Sequence, residues 1–245
     1  MIQVGGKLMK KFVIEDSFWN LFPNAKIGIV ICNDIVNSIS EKEQYKEMIL
    51  QSEKEALKYL EDAEFSNNPV IKVWREAFQK FKTKKGARSS IEALLKRVHN
   101  GNHIGNINPL VDIYNSISLR YALPCGGEDI DKFASDIRLT TAVGNEEFIP
   151  LGTDENSPPY EGEIVYKDDK GAICRCWNWR EAVRTMLTEN TTNAFLCIES
   201  TDESRLLEFE NALKELAKEV KENLGGAIRI SILDINNKEV VIDMM

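Results

Sequence analysis

Hydrophobic positions along the chain change period about midway, and that change predicts the architecture. Near the start, Phe12, Val13 and Ile14 read as a strand, and residues 18–22 (Phe-Trp-Asn-Leu-Phe) as a short helix. Residues 26–32 resemble an interior strand, with an apolar run of six from Ile27 to Cys32. Helical spacing follows. Ser40 and Glu43 have the Ser-x-x-Glu form of a capping box and open a helix to about residue 64. Asn68-Pro69 restarts helix, with Asn as cap and Pro at the first helical position, and Val70, Val73, Trp74, Ala77 and Phe81 share one face. Ser89 with Glu92 opens a third helix, which Asn100-Gly101 closes, and Asn108-Pro109 opens a fourth to about Tyr121.

Alternation with period two then takes over. Strands are predicted at 136–143, 147–151, 162–166 and 172–177, with turns at Gly144-Asn145 and at residues 168–171. Residues 193–199 alternate as a further strand. Residues 202–222 form an amphipathic helix with Leu206, Phe209, Leu213, Leu216 and Val220 inward. Residues 227–234 and 239–242, joined at Asn236-Asn237, read as a closing hairpin. Helices cluster early and strands late, which predicts an α+β fold. No repeat, low-complexity tract or linker interrupts the pattern, so residues 1–245 are expected to form a single domain.

Composition narrows the function. At 43% hydrophobic and 29% charged residues, wholesale disorder is excluded. No apolar segment reaches the ~20 residues of a membrane span, and Glu15 and Asp16 break up any signal-peptide pattern, so no membrane partner is expected. Five cysteines form no Cys-x-x-Cys pair and read as reduced thiols of a cytoplasmic protein. With two histidines, a His-based metal site is not expected, nor is any cofactor. His99 fits the last turn of its helix, and Gly101 separates it from His103. Glycine-rich phosphate loops, Gly-x-Ser-x-Gly and His-Glu-x-x-His are absent from the sequence.

Charge placement says more than the net charge of -8. Nine basic and two acidic residues lie between Lys72 and Arg97, a local +7 that leaves -15 on the rest of the chain. Lys82, Lys84 and Lys85 sit in a turn, followed by Arg88. The island reads either as a solvated helical face or as a phosphate-contacting patch. Further on, Gly126-Gly127 before Glu128, Asp129 and Asp131 suggests a loop of close backbone approach with carboxylates at its rim, though helix capping accounts for Asp129. Two of the four tryptophans, Trp177 and Trp179, lie among Arg175, Asn178 and Arg180. Such a cluster either stacks a base or amino-acid side chain, or closes the core. Cys174 and Cys176 share a strand face and read as packing.

Ordered motifs then carry a resemblance. Residues 88–95 (Arg-Ser-Ser-Ile-Glu-Ala-Leu-Leu) and 106–115 (Asn-Ile-Asn-Pro-Leu-Val-Asp-Ile-Tyr-Asn) come first. Leu123-Pro124, residues 148–152, residues 162–166 and Thr191-Thr192-Asn193 follow. Together they are similar to the B3/B4 domain of the phenylalanyl-tRNA synthetase beta subunit, over about residues 70–200. The 245 residues leave no room for the synthetase's catalytic module, so the chain resembles free-standing B3/B4 proteins, a group described as tRNA-binding. In the synthetase the domain hydrolyses tRNA carrying the wrong amino acid. The resemblance implies helices packed on an unusual β-sandwich core, and a pocket for an aminoacylated 3′ end.

By position, Asn115 matches the asparagine of the family's Val-Asp-Val-Thr-Asn motif, with Tyr114 replacing its threonine. Gly126 stands at the histidine of Pro-x-His-Ala-Phe-Asp. The family pocket's acidic residue falls at Cys197 without gaps, or at Glu199 after a two-residue slip that keeps the strand face. A small-residue run, Ala-Gly-Val-Met-Gly-Gly, corresponds to residues 177–182, which are larger here and argue against tyrosine as substrate. The implied function is a trans-editing aminoacyl-tRNA deacylase with Glu199 catalytic; the alternative is a non-catalytic RNA- or amino-acid-binding module. A third reading is a protein-interaction surface at Trp177 and Trp179. Asn115, Gly126, Glu128, Trp177, Asn178 and Arg180 would hold the substrate, with Glu128, Asp129 or Glu199 reading an α-ammonium. Lys82, Lys84, Lys85 and Arg88 would contact tRNA phosphates, and DNA is not an expected partner. Ser89 is explained as a helix cap rather than a nucleophile.

Overall fold

The computed structural model describes residues 3–4, 7–38 and 42–243. In chain order the elements are β1 (Gln3–Val4), β2 (Lys7–Leu8), β3 (Lys11–Ile14), α1 (Asp16–Trp19), β4 (Lys26–Asn33), α2 (Lys42–Ala56), α3 (Pro69–Phe78), α4 (Ser90–His99) and α5 (Pro109–Tyr121). The second half continues with β5 (Cys125–Asp129), β6 (Ile137–Thr141), β7 (Ile164–Lys167), β8 (Ala172–Arg175), β9 (Arg180–Glu181), β10 (Ala194–Ser200), α6 (Leu206–Leu224), β11 (Ala227–Leu233) and β12 (Glu239–Val241). This is the α+β order that the change of period predicts.

Two larger sheets face each other. One is antiparallel in the order β11-β4-β10-β5, and the other runs β12-β3-β6-β7-β8-β9, with β3 and β6 parallel. Ile27, Ile29 and Ile31 of β4 and Phe195 of β10 meet Phe12, Leu139, Tyr166 and Ile173 of the second sheet in one core. The alternate positions, Val30, Cys32, Leu196 and Ile198, pack the other way against Ile113 and Ile117 of α5 and Leu213 and Leu216 of α6. So β4 reads as an unbroken apolar run because both its faces are covered. Gly28 allows the helix to approach: a Cβ there would lie 2.9 Å from Leu213 Cδ1.

Several expectations need correction. The first long helix ends at Ala56 and passes into a 3-10 turn at Leu57–Tyr59, short of residue 64; Ser40, its expected cap, lies outside the described residues. Residues 147–151 make no strand. Their pairing is reduced to a bridge between Pro150 and Ala182, held by Leu151 N donating to Glu181 O and Val183 N donating to Ile149 O. The closing hairpin is not one: β11 pairs with β4 and β12 with β3, in different sheets, so the turn at Asp234 and Asn237 carries the chain across the sandwich. Residues 125–129 form β5 rather than a loop. Gly127 is needed there for packing, since a Cβ would meet Leu196 Cδ2 at 2.5 Å.

Capping is half as expected. Asn68 does not cap α3; its amide accepts from Asp62 N and donates to Phe65 O, holding the preceding loop. Ser89 caps α4 by accepting from Glu92 N at 3.2 Å, but the Glu92 carboxylate turns to Arg75 instead of back to Ser89. Asn108 caps α5, accepting from Val111 N at 3.1 Å and also from Asn37 Nδ2 at 3.0 Å, and it is buried. Asn108→Ala is therefore expected to cost about 1–2 kcal/mol, at the upper end for a cap because the Asn37 amide also loses an acceptor. Urea denaturation checks this; a loss no larger than that of Ser89→Ala would contradict the shared role.

Candidate functional site

The edge strand β5 of one sheet and the β8–β9 edge of the other line one cavity of about 250 Å³. Alternation on the strands selects its walls. Cys197 pairs with Gly126 and Phe195 with Glu128, so β5 and β10 present Gly126, Glu128, Phe195, Cys197 and Glu199 inward. Tyr166 of β7 and Cys174 of β8, paired with each other, face them from the second sheet. The turn after β8 supplies Trp177, Asn178 and Trp179, and β9 supplies Arg180 and Glu181. Ser90, in the first turn of α4, completes the rim.

That turn is strained. Cys176 and Trp177 have φ of 47° and 65°, the left-handed region that large side chains avoid. Such geometry costs on the order of 1–3 kcal/mol and persists only where surrounding contacts impose it. Here they do. The fully buried Trp177 ring packs 4.6 Å from Phe22, 4.9 Å from Phe18 and 5.0 Å from Trp74, centroid to centroid, and its indole nitrogen donates to Glu199 Oε1 at 2.8 Å. Trp177 is thus the floor of the cavity. Its burial removes the main support for a protein-interaction surface at that residue, while Trp179 is half-buried at the mouth with Arg180 4.9 Å over its ring.

Glu199, 1% exposed, is the centre of a donor shell. Oε1 accepts from Trp177 and from the Tyr166 hydroxyl, and Oε2 accepts from Asn178 Nδ2. The Asn178 amide is oriented by its other end, where Oδ1 accepts from Ser90 N at 3.2 Å. Burial raises the Glu199 carboxyl to about 7, and the three donors oppose that rise. A carboxylate has about four acceptor positions, so one on Oε2 is open.

Glu128 and Glu181 form a second acidic pole. Glu128 is 7% exposed, and its Oε2 has no hydrogen-bond partner. Burial first, and then the charge of Glu181, push it well above the carboxylate range, against the opposing pull of the Thr185 hydroxyl and the Arg184 charge. Burial likewise raises Glu181 to about 7, while the Gly127 backbone amide pulls it down. Glu181 reaches across to β5: a Cβ on Gly126 would lie 3.6 Å from its Oε1. Three thiols, Cys125, Cys174 and Cys197, complete the lining. Burial pushes all three upward, so at neutral pH they are protonated, apolar walls and not nucleophiles.

Of the residues singled out from sequence, Gly126, Glu128, Trp177, Asn178, Arg180 and Glu199 come together around this one cavity. Asn115 does not. It lies half-buried on α5 and is outside the lining, because successive helical residues point about 100° apart; burial first, and then the charges of Glu181 and Glu128, raise the hydroxyl of its neighbour Tyr114. Among the tRNA candidates, Lys84 lines a groove that shares Trp179 and Arg180 with the cavity, and its Nζ donates to Ser157 at 3.3 Å. Lys82 lies 5.8 Å over the Tyr160 ring, and Lys85 and Arg88 are exposed between α3 and α4. Asp129 faces Thr191 and the Asp131 amide, as a cap does, and is not in the lining. Arg175 does not line the cavity either: it is buried in an ion pair with Glu163, with the Phe148 and Tyr160 rings beside it.

Glu181, Tyr166, Cys125 and Ser90 escaped the sequence reading. Period-two alternation through β7 and β8 places Tyr166 and Cys174 on one face, but nothing local says which face meets β10. Both histidines lie outside the lining; His103 bonds Glu53 at 2.7 Å and His99 packs on Phe65. Among the described residues no group of three or more His, Cys, Asp or Glu side chains could hold a metal, and no helix is long and apolar enough to cross a membrane.

Three comparisons relate the chain to known proteins. A family model described as the B3/4 domain matches residues 73–222. The phenylalanine–tRNA ligase beta subunit of Mycoplasmoides gallisepticum is 31% identical over 106 residues, which is 43% of this chain and 13% of that protein, so the chain spans only a small part of this curated relative. Among solved structures, an N-terminal fragment of the phenylalanyl-tRNA synthetase beta-subunit from Pyrococcus horikoshii aligns at 15% identity and a TM-score of 0.44, over 88% of this chain and 49% of that one.

Proposed function

The chain belongs to the B3/4 domain family, and on that premise we propose that it binds the aminoacylated 3′ end of tRNA in the cytoplasm and hydrolyses the ester of mischarged tRNA, acting as one domain in trans. The observation that carries this reading is the cavity itself. It is small enough for an aminoacyl group and lined by the buried, donor-ringed Glu199. At its mouth it opens onto a groove with Arg180 and Lys84. The acyl group enters the cavity, and the terminal ribose stays at the rim near Ser90 and Trp179. A water held on the open position of Glu199 Oε2 attacks the ester carbonyl carbon. The carboxylate takes one water proton, the bond from carbonyl carbon to ribose oxygen breaks, and that oxygen ends protonated. The products are a free amino acid and uncharged tRNA. An aminoacyl ester is labile, so positioning supplies much of the rate.

The test is a panel of mischarged tRNAs, with a synthetase known to edit as control. Clearance of at least one species supports the proposal, and an intact panel beside a working control sinks it. A second reading, binding without catalysis, is favoured by Gly126: the family histidine is missing, and no imidazole lines the cavity.

Phosphate contacts give a separate prediction. Lys82, Lys84, Lys85 and Arg88 lie on the connection from α3 to α4, and Lys84 lines the groove. Replacing Lys84, Lys85 and Arg88 together by alanine is expected to weaken tRNA binding and flatten its dependence on log salt by about 2, since each lost phosphate contact removes roughly 0.7–0.9 from the slope. Anisotropy titrations across a salt series measure this. An unchanged slope would place the RNA on another face.

A further inference from the structure

The Glu128–Glu181 pole is unexplained by a water-activating role for Glu199, and it has the chemistry of a ligand site. We infer that Glu128 and Glu181 bind a primary ammonium group, so that the cavity accepts only aminoacyl groups whose α-amino group is free. The inference rests on the aminoacyl reading above and adds the class of substrate that the site takes.

Three observations lead there. Glu128 Oε2 is a buried acceptor with no partner, in a residue that is 7% exposed and faces the cavity. An unmet buried oxygen of this kind is costly unless something fills its need. Glu181 faces it from β9 of the opposite sheet, its Oε1 3.6 Å from where a Gly126 Cβ would sit, so the missing side chain at Gly126 lets the Glu181 carboxyl approach β5. No cationic side chain pairs with either carboxyl, although the charge of Arg184 and the Thr185 hydroxyl both favour ionised Glu128. Arg180 is exposed over Trp179, and Arg184 is committed to Asp168 with bonds of 2.7 and 2.9 Å.

The buried Glu128 and the half-buried Glu181 repel each other when ionised, and a donor-rich monocation between them removes the repulsion and satisfies Oε2 at once. A metal ion does not suit the place, because no third ligand of the usual kinds joins the pair among the described residues. An ammonium does: it brings three N–H donors and one charge. The volume, about 250 Å³, lies below that of drug-sized sites and suits a ligand no larger than an amino-acid residue. Acylating the amine leaves one donor and no charge, so N-blocked aminoacyl groups are refused.

The probes are amides of the proteinogenic amino acids, which keep the α-ammonium and lack the free carboxylate, and the same amides N-acetylated, titrated calorimetrically into the whole chain. At least one amide is expected to bind, with its N-acetyl form weaker by about 10- to 100-fold, the value of a charge-assisted hydrogen bond. Glu181→Gln and Glu128→Gln, which keep shape, should each bring the same loss for the free amide and little change for the acetylated one. Equal affinity for free and acetylated amides, indifference to both substitutions, or no amide binding at all would overturn the inference. The tRNA reading fails separately. If free amides bind by this rule while the mischarged panel is neither bound nor cleared, the ammonium site stands and the tRNA proposal falls. If mischarged tRNAs are cleared regardless of N-acetylation, the opposite holds.

Discussion

Glu163→Ala is expected to destabilise the fold by about 3–5 kcal/mol, the largest single loss predicted for this protein. Glu163 is 0% exposed and Arg175 is 1% exposed. They meet as a two-pronged pair, with Arg175 Nε on Glu163 Oε2 at 3.0 Å and Nη2 on Oε1 at 2.5 Å. The remaining guanidinium nitrogen donates to Ser157 O at 2.7 Å and Oγ at 3.1 Å, and Phe148 and Tyr160 flank the group. Removing the carboxylate strands a buried charge in an apolar layer, and that, more than the lost attraction, sets the size of the effect. The double variant Glu163→Met with Arg175→Met should recover most of the loss, because desolvation then costs nothing. An exposed pair such as Lys72 with Glu76, 3.9 Å apart, should cost under about 1 kcal/mol when broken. Urea denaturation of the four proteins decides it; a loss below about 1 kcal/mol for Glu163→Ala would mean that water reaches the pair.

The second large effect concerns Glu199. If it activates water, Glu199→Gln should slow single-turnover deacylation by about 100-fold or more, the ordinary size of a general-base contribution. Glutamine offers one acceptor and one amide donor to a shell made only of donors, so either Asn178 or the Tyr166–Trp177 pair also loses its partner. The pH profile separates the two losses. With the carboxyl at about 7, the wild-type rate should rise as Glu199 ionises through that pH, and the variant should lack this step. Stability moves the other way. The folded carboxyl holds a proton that the unfolded chain has released above about 4.5, so wild-type stability should fall between there and about 7. Glu181 shares that window, so Glu199→Gln should reduce the slope without removing it. A variant that clears its substrate at the wild-type rate would leave Glu199 a purely structural acceptor.

The segment from Trp177 to Arg180 shows how far local reasoning goes. Its two tryptophans and its arginine marked it as unusual, and it does line the site, yet whether Trp177 binds or packs depended on Phe18, Phe22 and Trp74, which come from distant parts of the chain. Asn115 illustrates the reverse error. A motif position transfers readily, but a helical side chain one step out of phase faces another way. Gly126-Gly127 read as a loop because glycine pairs usually are; here the strand exists because β10 supplies the ladder, and Gly127 fits because Leu196 fills its space.

By itself the sequence determined the periods of most elements, the caps at Ser89 and Asn108, the basic island before α4 and the family. Each of these depends on spacings of a few residues or on motif order, which the chain carries before it folds. Only the tertiary structure decided that β11 and β12 join different sheets. It also decided that Glu128, Glu181 and Glu199, from three strands in two sheets, share one cavity. Their elevated carboxyls follow from that burial. Desolvation and charge proximity belong to the assembled sandwich, and no local pattern of residues encodes them.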